Sequence, residues 1–305
     1  MIKKRIITGA TLVLFSFFFY YYSPLEIKFV VFALLAIKAV QEMFFILKHP
    51  KDTQKQTFIK FGLVSTSTLL FFTVVCLILY PNICQNQNLI KDAKQLNFLF
   101  LNKNTFVSLT KSTPSNLNFF LLLFLPFVLV LIMLVFLPFL QTKDVSKTFL
   151  ITFYIGFLMA CLFSLFFLHW HYLLLFFLAV MLTDSSAFLA RFPRFCPFLG
   201  TRPLAFHLSP KKTQKGAILG TFGSTITVLM VFLFIDCNSC ISFPIYAFLI
   251  SIISQISDLL ASKFKRDYGI KDFGSFLPGH GGFLDRFDSW LLSSFFALIL
   301  FNLPF

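Results

Sequence analysis

The chemistry-bearing residues are concentrated in one stretch, SKFKRDYGIKDFGSFLPGHGGFLDRFD, at positions 262–288. It holds Lys263, Lys265, Arg266, Lys271 and Arg286 beside Asp267, Asp272, Asp285 and Asp288, with four glycines and His280. Glycines in Pro278-Gly279-His280-Gly281-Gly282 let backbone N–H groups come close to a ligand, as in phosphate-binding nests. Asp285 and Asp288 are three apart and share a face if a helix starts there. Two such carboxylates beside a third on another helix make an oxygen-donor site for Mg²⁺. Cations, Mg²⁺ and a glycine-rich turn together are suited to phosphate chemistry.

Two further carboxylates stand in apolar surroundings. Asp184 lies in LTDSSAF and Asp258 in SQISDLLAS, each among small hydroxyl residues. Ionisable groups within a membrane span are costly, so both need a reason: either a hard cation or a helix-end role. Lys38 and Glu42 are four apart, share a helix face and are expected to neutralise each other structurally. A second basic patch, HLSPKKTQKGAILG at 207–220, places Lys211, Lys212 and Thr213 after a Ser-Pro turn. They are expected in the first turn of a helix, where free N–H groups favour anions. Cys237 and Cys240 form a lone CxxC with no partner pair, and read as incidental.

These groups must be positioned by membrane helices. Of the 305 residues, 58% are hydrophobic and 12% charged, and the mean hydropathy is +0.85. A soluble domain carries about twice that share of charge. The composition excludes a soluble enzyme, a secreted disulfide scaffold and a disordered chain. The 48 phenylalanines read as lipid-facing bulk. The expected fold is an all-α polytopic membrane protein with about nine spans, near 6–22, 29–47, 61–80, 118–140, 149–168, 172–190, 217–235, 243–261 and 289–304.

Lys and Arg gather on the cytoplasmic side of membrane proteins. With the N-terminus inside, the inside segments hold 20 basic residues and the outside segments 5. That sets the N-terminus inside and the C-terminus outside. It also accounts for the net charge of +14 without nucleic acid. Two regions follow: 1–117, with one long outside loop, and 118–305, with inside loops at 191–215 and 262–288.

Residues 254–288 resemble the phosphatidate cytidylyltransferases, or CDP-diacylglycerol synthases. The family pattern is S-x-x-K-R, four residues, then K-D-x-G-x-x-x-P-G-H-G-G-x-x-D-R-x-D. Ser262, Lys265, Arg266, Lys271, Asp272, Gly274, Pro278, Gly279, His280, Gly281, Gly282, Asp285, Arg286 and Asp288 match it with the same spacing. SPKKTQKG at 209–216 and TDSSAF at 183–188 resemble two upstream family segments, and Glu42 falls where the family tends to have an early Glu. The chain departs at Ser257 and Ala261, where the family usually has Gly and Glu, and at Lys215, where Glu or Gln is common.

The resemblance implies transfer of the cytidylyl group of CTP to phosphatidic acid, giving CDP-diacylglycerol and pyrophosphate. Asp258, Asp285 and Asp288 would hold Mg²⁺, with Asp184 as a further contact and a monovalent cation as a candidate addition. Lys265, Arg266, Lys271 and Arg286 would bind phosphates, and Gly281 and Gly282 would offer N–H groups. Lys211, Lys212 and Thr213 would serve the triphosphate, with Ser262 and Asp272 also at the substrates. His280 would either donate to the leaving group or order the turn. The expected setting is the inner membrane with the site facing the cytoplasm, and a second copy of the chain is a candidate partner. A CTP-dependent lipid-alcohol kinase would need a base for its alcohol. An ion-coupled transporter would place its carboxylates near the bilayer midplane.

Overall fold

The computed structural model describes residues 22–47, 53–85, 127–128, 131–132, 140–190, 202–205, 209–234, 242–274 and 281–302. The expected spans 6–22 and 118–140 lie almost wholly outside the described residues, as do Cys237 and Cys240. Seven helical rods are present among the described residues: α1 Leu25–Leu47, α2 Gln54–Gln85, α3 Thr142–Phe167, α4 Trp170–Leu189, α5 Gln214–Phe234, α6 Ser242–Asp267 and α7 Leu284–Asn302. The first six are long and apolar enough to cross a membrane. The protein is a multi-pass helical membrane protein.

The helices begin and end further into the polar segments than hydropathy suggests. α6 runs to Asp267, so Ser262, Lys265 and Arg266 are helical and not part of a loop. Its 26 residues extend about 39 Å at 1.5 Å per residue, beyond the ~30 Å hydrocarbon layer. The last turns therefore carry their charges out of the oil. α2 starts at Gln54, which puts Lys60 two turns inside it rather than in a loop. There Lys60 pairs with Asp144 at 2.9 Å, and Asp144 also accepts the Gln141 N–H at 3.0 Å, capping α3.

The segment 203–213 forms a short antiparallel hairpin, β1 Pro203–Ala205 with β2 Ser209–Thr213. Lys211, Lys212 and Thr213 are thus extended and not in a first helical turn. The reason lies in Thr213, whose hydroxyl accepts the Gly216 N–H at 3.0 Å. A residue that caps a helix this way is extended, so the helix starts one residue later.

Packing relies on small residues and aromatic rings. Gly216, Gly220 and Gly223 of α5 lie against Thr183, Ser186 and Ala187 of α4, and a Cβ at Gly220 would be 3.0 Å from the Thr183 carbonyl oxygen. Small residues four apart are how membrane helices approach closely. Gln255 of α6 donates to Ala217 O and Thr221 Oγ1 of α5 at 3.2 and 3.0 Å. Thr183 bonds Ser251 of α6 at 2.6 Å.

The phenylalanines are not all lipid-facing. Phe71, Phe72, Phe163, Phe176 and Phe232 are fully buried. Phe163 stacks its edges on Phe29, Phe32 and Phe72 at 5.4–6.0 Å, joining α1, α2 and α3. Others, such as Phe153, Phe222 and Phe234, face outward as expected. In α3 the regular helix gives way to a π-helical turn over Thr152–Phe157. Gly156 lies close to the Thr68 carbonyl there, and the Thr152 hydroxyl meets Ser67 at 3.1 Å.

Candidate functional site

Five helix ends meet at the site. Late in α6, Asp258 pairs with Lys212, the residue two before α5 begins. Two turns later, Lys265 reaches Asp285 at 2.8 Å and Asp288 at 3.5 Å, both in the first turns of α7. Asp184, near the end of α4, accepts from the Ser289 side chain of α7. The negative charge of Asp258 acts on both Asp184 and Asp288. Asp184, Asp258, Asp285, Asp288, Lys212 and Lys265, singled out from sequence, are therefore brought together.

The neighbouring hydroxyls fix this arrangement. Ser257 donates to the Asp288 carbonyl oxygen and accepts the Leu292 N–H at 3.3 Å. This ties α6 to α7 beside the acids. Lys265 is buried beneath the site, with its ammonium 5.2 Å from the Phe273 ring centre. An unpaired buried ammonium would be expensive, and the two carboxylates offset that cost.

Asp285 organises the loop. One oxygen takes Lys265, and the other accepts the Phe273 and Gly282 N–H groups at 2.8 and 2.9 Å. The chain turns tightly around it. Gly281 has φ +82°, and a Cβ there would lie 3.1 Å from Asp285 Oδ2 and 3.5 Å from Asp272 Oδ1. Only glycine takes that conformation without strain.

Glu42 anchors the same loop from α1. Its two oxygens accept the Phe283 and Leu284 N–H groups, each at 2.8 Å. These N–H groups stand at the start of α7, where orphan donors and the helix dipole favour an anion. The backbone crosses the carboxylate so closely that a Cβ at Gly282 would be 2.6 Å from Glu42 Oε2, and one at Gly274 3.0 Å from Oε1. The expected partner of Glu42 was Lys38, one turn away. Instead the carboxylate caps α7, while Lys38 donates to Gln41 at 3.0 Å. A mid-helix acid in apolar surroundings was the available signal, and it pointed to a partner on its own helix. Spacing within one helix holds no information about a loop 241 residues away.

The remaining expected residues fall around this core. Ser262 is buried on α6. Arg266 donates to the Ile270 carbonyl at 3.1 Å and closes the end of α6. Lys271, Asp272 and Arg286 are exposed at the rim. Lys211 lies on β2. Pro278, Gly279 and His280 lie outside the described residues. One polar group that was not singled out belongs to the neighbourhood: Tyr154 of α3, on whose hydroxyl Asp288 and Asp258 act electrostatically.

Among the described residues no three His, Cys, Asp or Glu side chains gather closely enough to enclose a metal ion. What the site offers is different in kind: three mutually repelling carboxylates, Asp184, Asp258 and Asp288, none with an oxygen shared between two backbone N–H groups as Asp285 has. Hard oxygen donors of this sort suit a divalent cation that completes its shell with water and phosphate oxygens.

Comparison with known proteins bears on this arrangement. The sequence pattern described as "Cytidylyltransferase family" matches residues 3–303. The chain is 40% identical over 134 residues to the phosphatidate cytidylyltransferase of Staphylococcus saprophyticus. It is 43% identical over 134 residues to that of Staphylococcus aureus (strain COL), and 41% to that of Staphylococcus haemolyticus. Each match covers 44% of this chain and 48% of the relative. The chain thus spans about half the length of the relatives it matches.

Proposed function

Since the chain belongs to the cytidylyltransferase family, we propose that it transfers the cytidylyl group of CTP to phosphatidic acid at the helix ends just described, releasing pyrophosphate. The observation that carries this reading is the meeting of Asp184, Asp258 and Asp288 with Lys212 and Lys265 beneath a loop locked by Asp285 and Glu42. These are groups for binding phosphates, not for moving ions through the bilayer midplane. The acids lie at helix ends, unlike the midplane sites of transporters.

The lipid phosphate attacks the α-phosphorus of CTP, and the bond to the β-phosphate bridging oxygen breaks. The second pKa of a phosphate monoester is about 6, so the nucleophile is already mostly ionised at neutral pH and needs no strong base. An alcohol acceptor, as in a lipid kinase, would need one. The work left to the protein is to align two anions and offset their repulsion.

Lys212 sits at the entry to α5 and Lys265 under the first turn of α7, so the two ammonium groups approach the site from different sides. Gly282, expected to offer its N–H to phosphate, gives it to Asp285, and the missing side chains at Gly281 and Gly282 make room for the Asp285 and Glu42 carboxylates that hold the loop in shape. The exposed Lys271 and Arg286 stand at the rim for the anionic substrates. His280 would order the turn or donate to departing pyrophosphate. One or two of Asp184, Asp258 and Asp288 would hold Mg²⁺ together with substrate phosphates, and the ion would neutralise charge on the transferring group; Asp285, expected among the ligands, has both oxygens taken by Lys265 and backbone N–H groups. The bacterial relatives and the 20-to-5 charge bias favour the inner membrane, with the site on the cytoplasmic side.

The test is turnover of radiolabelled CTP by the full chain in detergent–phosphatidic acid micelles. Mg²⁺-dependent label in the chloroform phase, lost in Asp258→Asn, is the expected result. CTP binding without label in the lipid would point to another acceptor. Neither binding nor label would overturn the reading.

A further inference from the structure

Every buried side-chain nitrogen or oxygen among the described residues has a hydrogen-bond partner except one, the hydroxyl of Tyr154. The residue is 5% exposed, so bulk water does not satisfy it. Native interiors rarely leave such a group alone, and each case needs an explanation. The surroundings narrow it. Tyr154 lies in the π-helical turn Thr152–Phe157 of α3, a type of distortion frequent at functional sites. The flanks of that turn are held by α2: Thr152 meets Ser67 at 3.1 Å, and Gly156 packs on Thr68. The Tyr154 ring stands edge-on to Phe264 of α6 at 5.3 Å, next to Lys265. The charges nearest in effect to its hydroxyl are Asp288 and Asp258.

We propose that the Tyr154 hydroxyl donates a hydrogen bond to a phosphate oxygen of a substrate bound over Asp258 and Asp288. This rests on the cytidylyl-transfer reading for the identity of the substrates, though not for the phosphate chemistry. A phenol is a neutral donor. It comes from α3, whereas Lys212 and Lys265 come from β2 and α6 and are held in ion pairs with Asp258, Asp285 and Asp288. A donor without a protein acceptor, buried beside a site built for anions, is what a phosphate oxygen would complete. The residue comes from outside the 254–288 motif, and sequence spacing gives no hint of it.

Tyr154→Phe removes the hydroxyl and keeps the ring on Phe264. The full chain and this variant are compared in detergent by thermal denaturation, without ligand, with CTP, and with phosphatidic acid. Turnover is measured in the same micelles. Because the hydroxyl has no protein partner, the ligand-free variant should melt at the wild-type temperature or above. Its stabilisation by one substrate should shrink, and kcat/KM should fall about 10- to 100-fold, the range for a hydrogen bond to a charged group. The substrate whose stabilisation shrinks, CTP or phosphatidic acid, identifies the phosphate. Wild-type stabilisation by both substrates together with unchanged kcat and KM would overturn the proposal and leave cytidylyl transfer standing. A ligand-free variant that melts lower, with unaltered ligand shifts, would also overturn it and assign Tyr154 to structure. If the wild type binds either ligand but turns over neither, cytidylyl transfer fails, and a smaller shift in the variant still supports the contact. No shift in the wild type with either ligand overturns both.

Discussion

At the scale of single residues, the site is a set of committed pairs. Asp285 has no spare oxygen: Lys265 takes one and two backbone N–H groups take the other. Asp285→Asn keeps the size but weakens all three bonds and leaves Lys265 leaning on Asp288 alone. Breaking a buried pair by removing one partner costs about 3–5 kcal/mol, so a marked drop in melting temperature is expected along with loss of turnover. Asp258→Asn removes the partner of Lys212, a pair about a quarter exposed, and should leave the melting temperature far less changed while abolishing turnover. Measuring both quantities on both variants separates the acid that holds the loop from the acid paired with Lys212. Glu42→Ala strands two buried N–H groups, each worth about 1–3 kcal/mol, and should destabilise the chain although position 42 lies far from the motif in sequence. Glu42→Gln, which keeps one acceptor oxygen, should lose less. Much of this was legible beforehand, because Asp258, Asp285, Asp288 and Lys265 announce themselves as charges with fixed spacing. Spacing does not reveal which partner each charge takes. The partners of Glu42 stayed hidden because they lie across the whole chain, and Tyr154 stayed hidden because only the folded interior shows its hydroxyl unpaired.

At the scale of elements, the α4–α5 contact determines where Lys212 stands. Gly220 brings the helices so close that a Cβ would meet the Thr183 carbonyl at 3.0 Å and the Ala187 Cβ at 3.3 Å. Backbone cannot yield as a flexible side chain does. Gly220→Val should therefore wedge α5 away from α4, carry Lys212 off Asp258 and lower turnover at least tenfold. Gly223→Ala adds a single methyl, which meets Ser186 Oγ at 2.7 Å and Cβ at 2.9 Å; the hydroxyl can rotate away and the helices need part only slightly, so the loss should be smaller than for the larger valine at Gly220. Turnover of both variants in one preparation checks the ranking. Hydropathy located every described helix but misplaced its polar ends by several residues. It averages over a window, so it reports where the oil stops and not where the backbone hydrogen bonds stop. α6 continues to Asp267 because its last turn is closed by Arg266 on Ile270 and by Ile270 N–H on Lys265 O at 2.9 Å. The hairpin at 203–213 was missed for a related reason. A Ser-Pro pair suits a turn and a helix start equally, and the cap bond from Gly216 to Thr213 decides between them.

At the scale of the whole molecule, the charge bias and the contacts agree on which ends lie together. Lys60 with Asp144, Lys212 with Asp258, Lys265 with Asp285, and Glu42 with the start of α7 all join segments that the basic residues assign to one side. Lys271→Cys, exposed at that end, should react with a membrane-impermeant thiol reagent in inside-out vesicles and not in right-side-out ones. The reverse pattern would invert the topology. The all-α class and the membrane setting were fully readable from composition. The interior was not, because the same phenylalanines serve both lipid and core. Phe163 is buried among rings while Phe153 faces outward, and composition cannot divide them.

The bond between Glu42 and the start of α7 also has a history in time. The two partners are 241 residues apart, and ribosomes add about 5–20 residues per second. For roughly 12–50 s after the first of these helices enters the bilayer, its carboxylate waits for a helix that has not yet been made. The glycine turn cannot close around it until α7 arrives. A nascent chain therefore cannot close the turn around Glu42 until residue 284 has been made, and a ribosome stalled before that residue leaves α1 in place with its carboxylate uncapped.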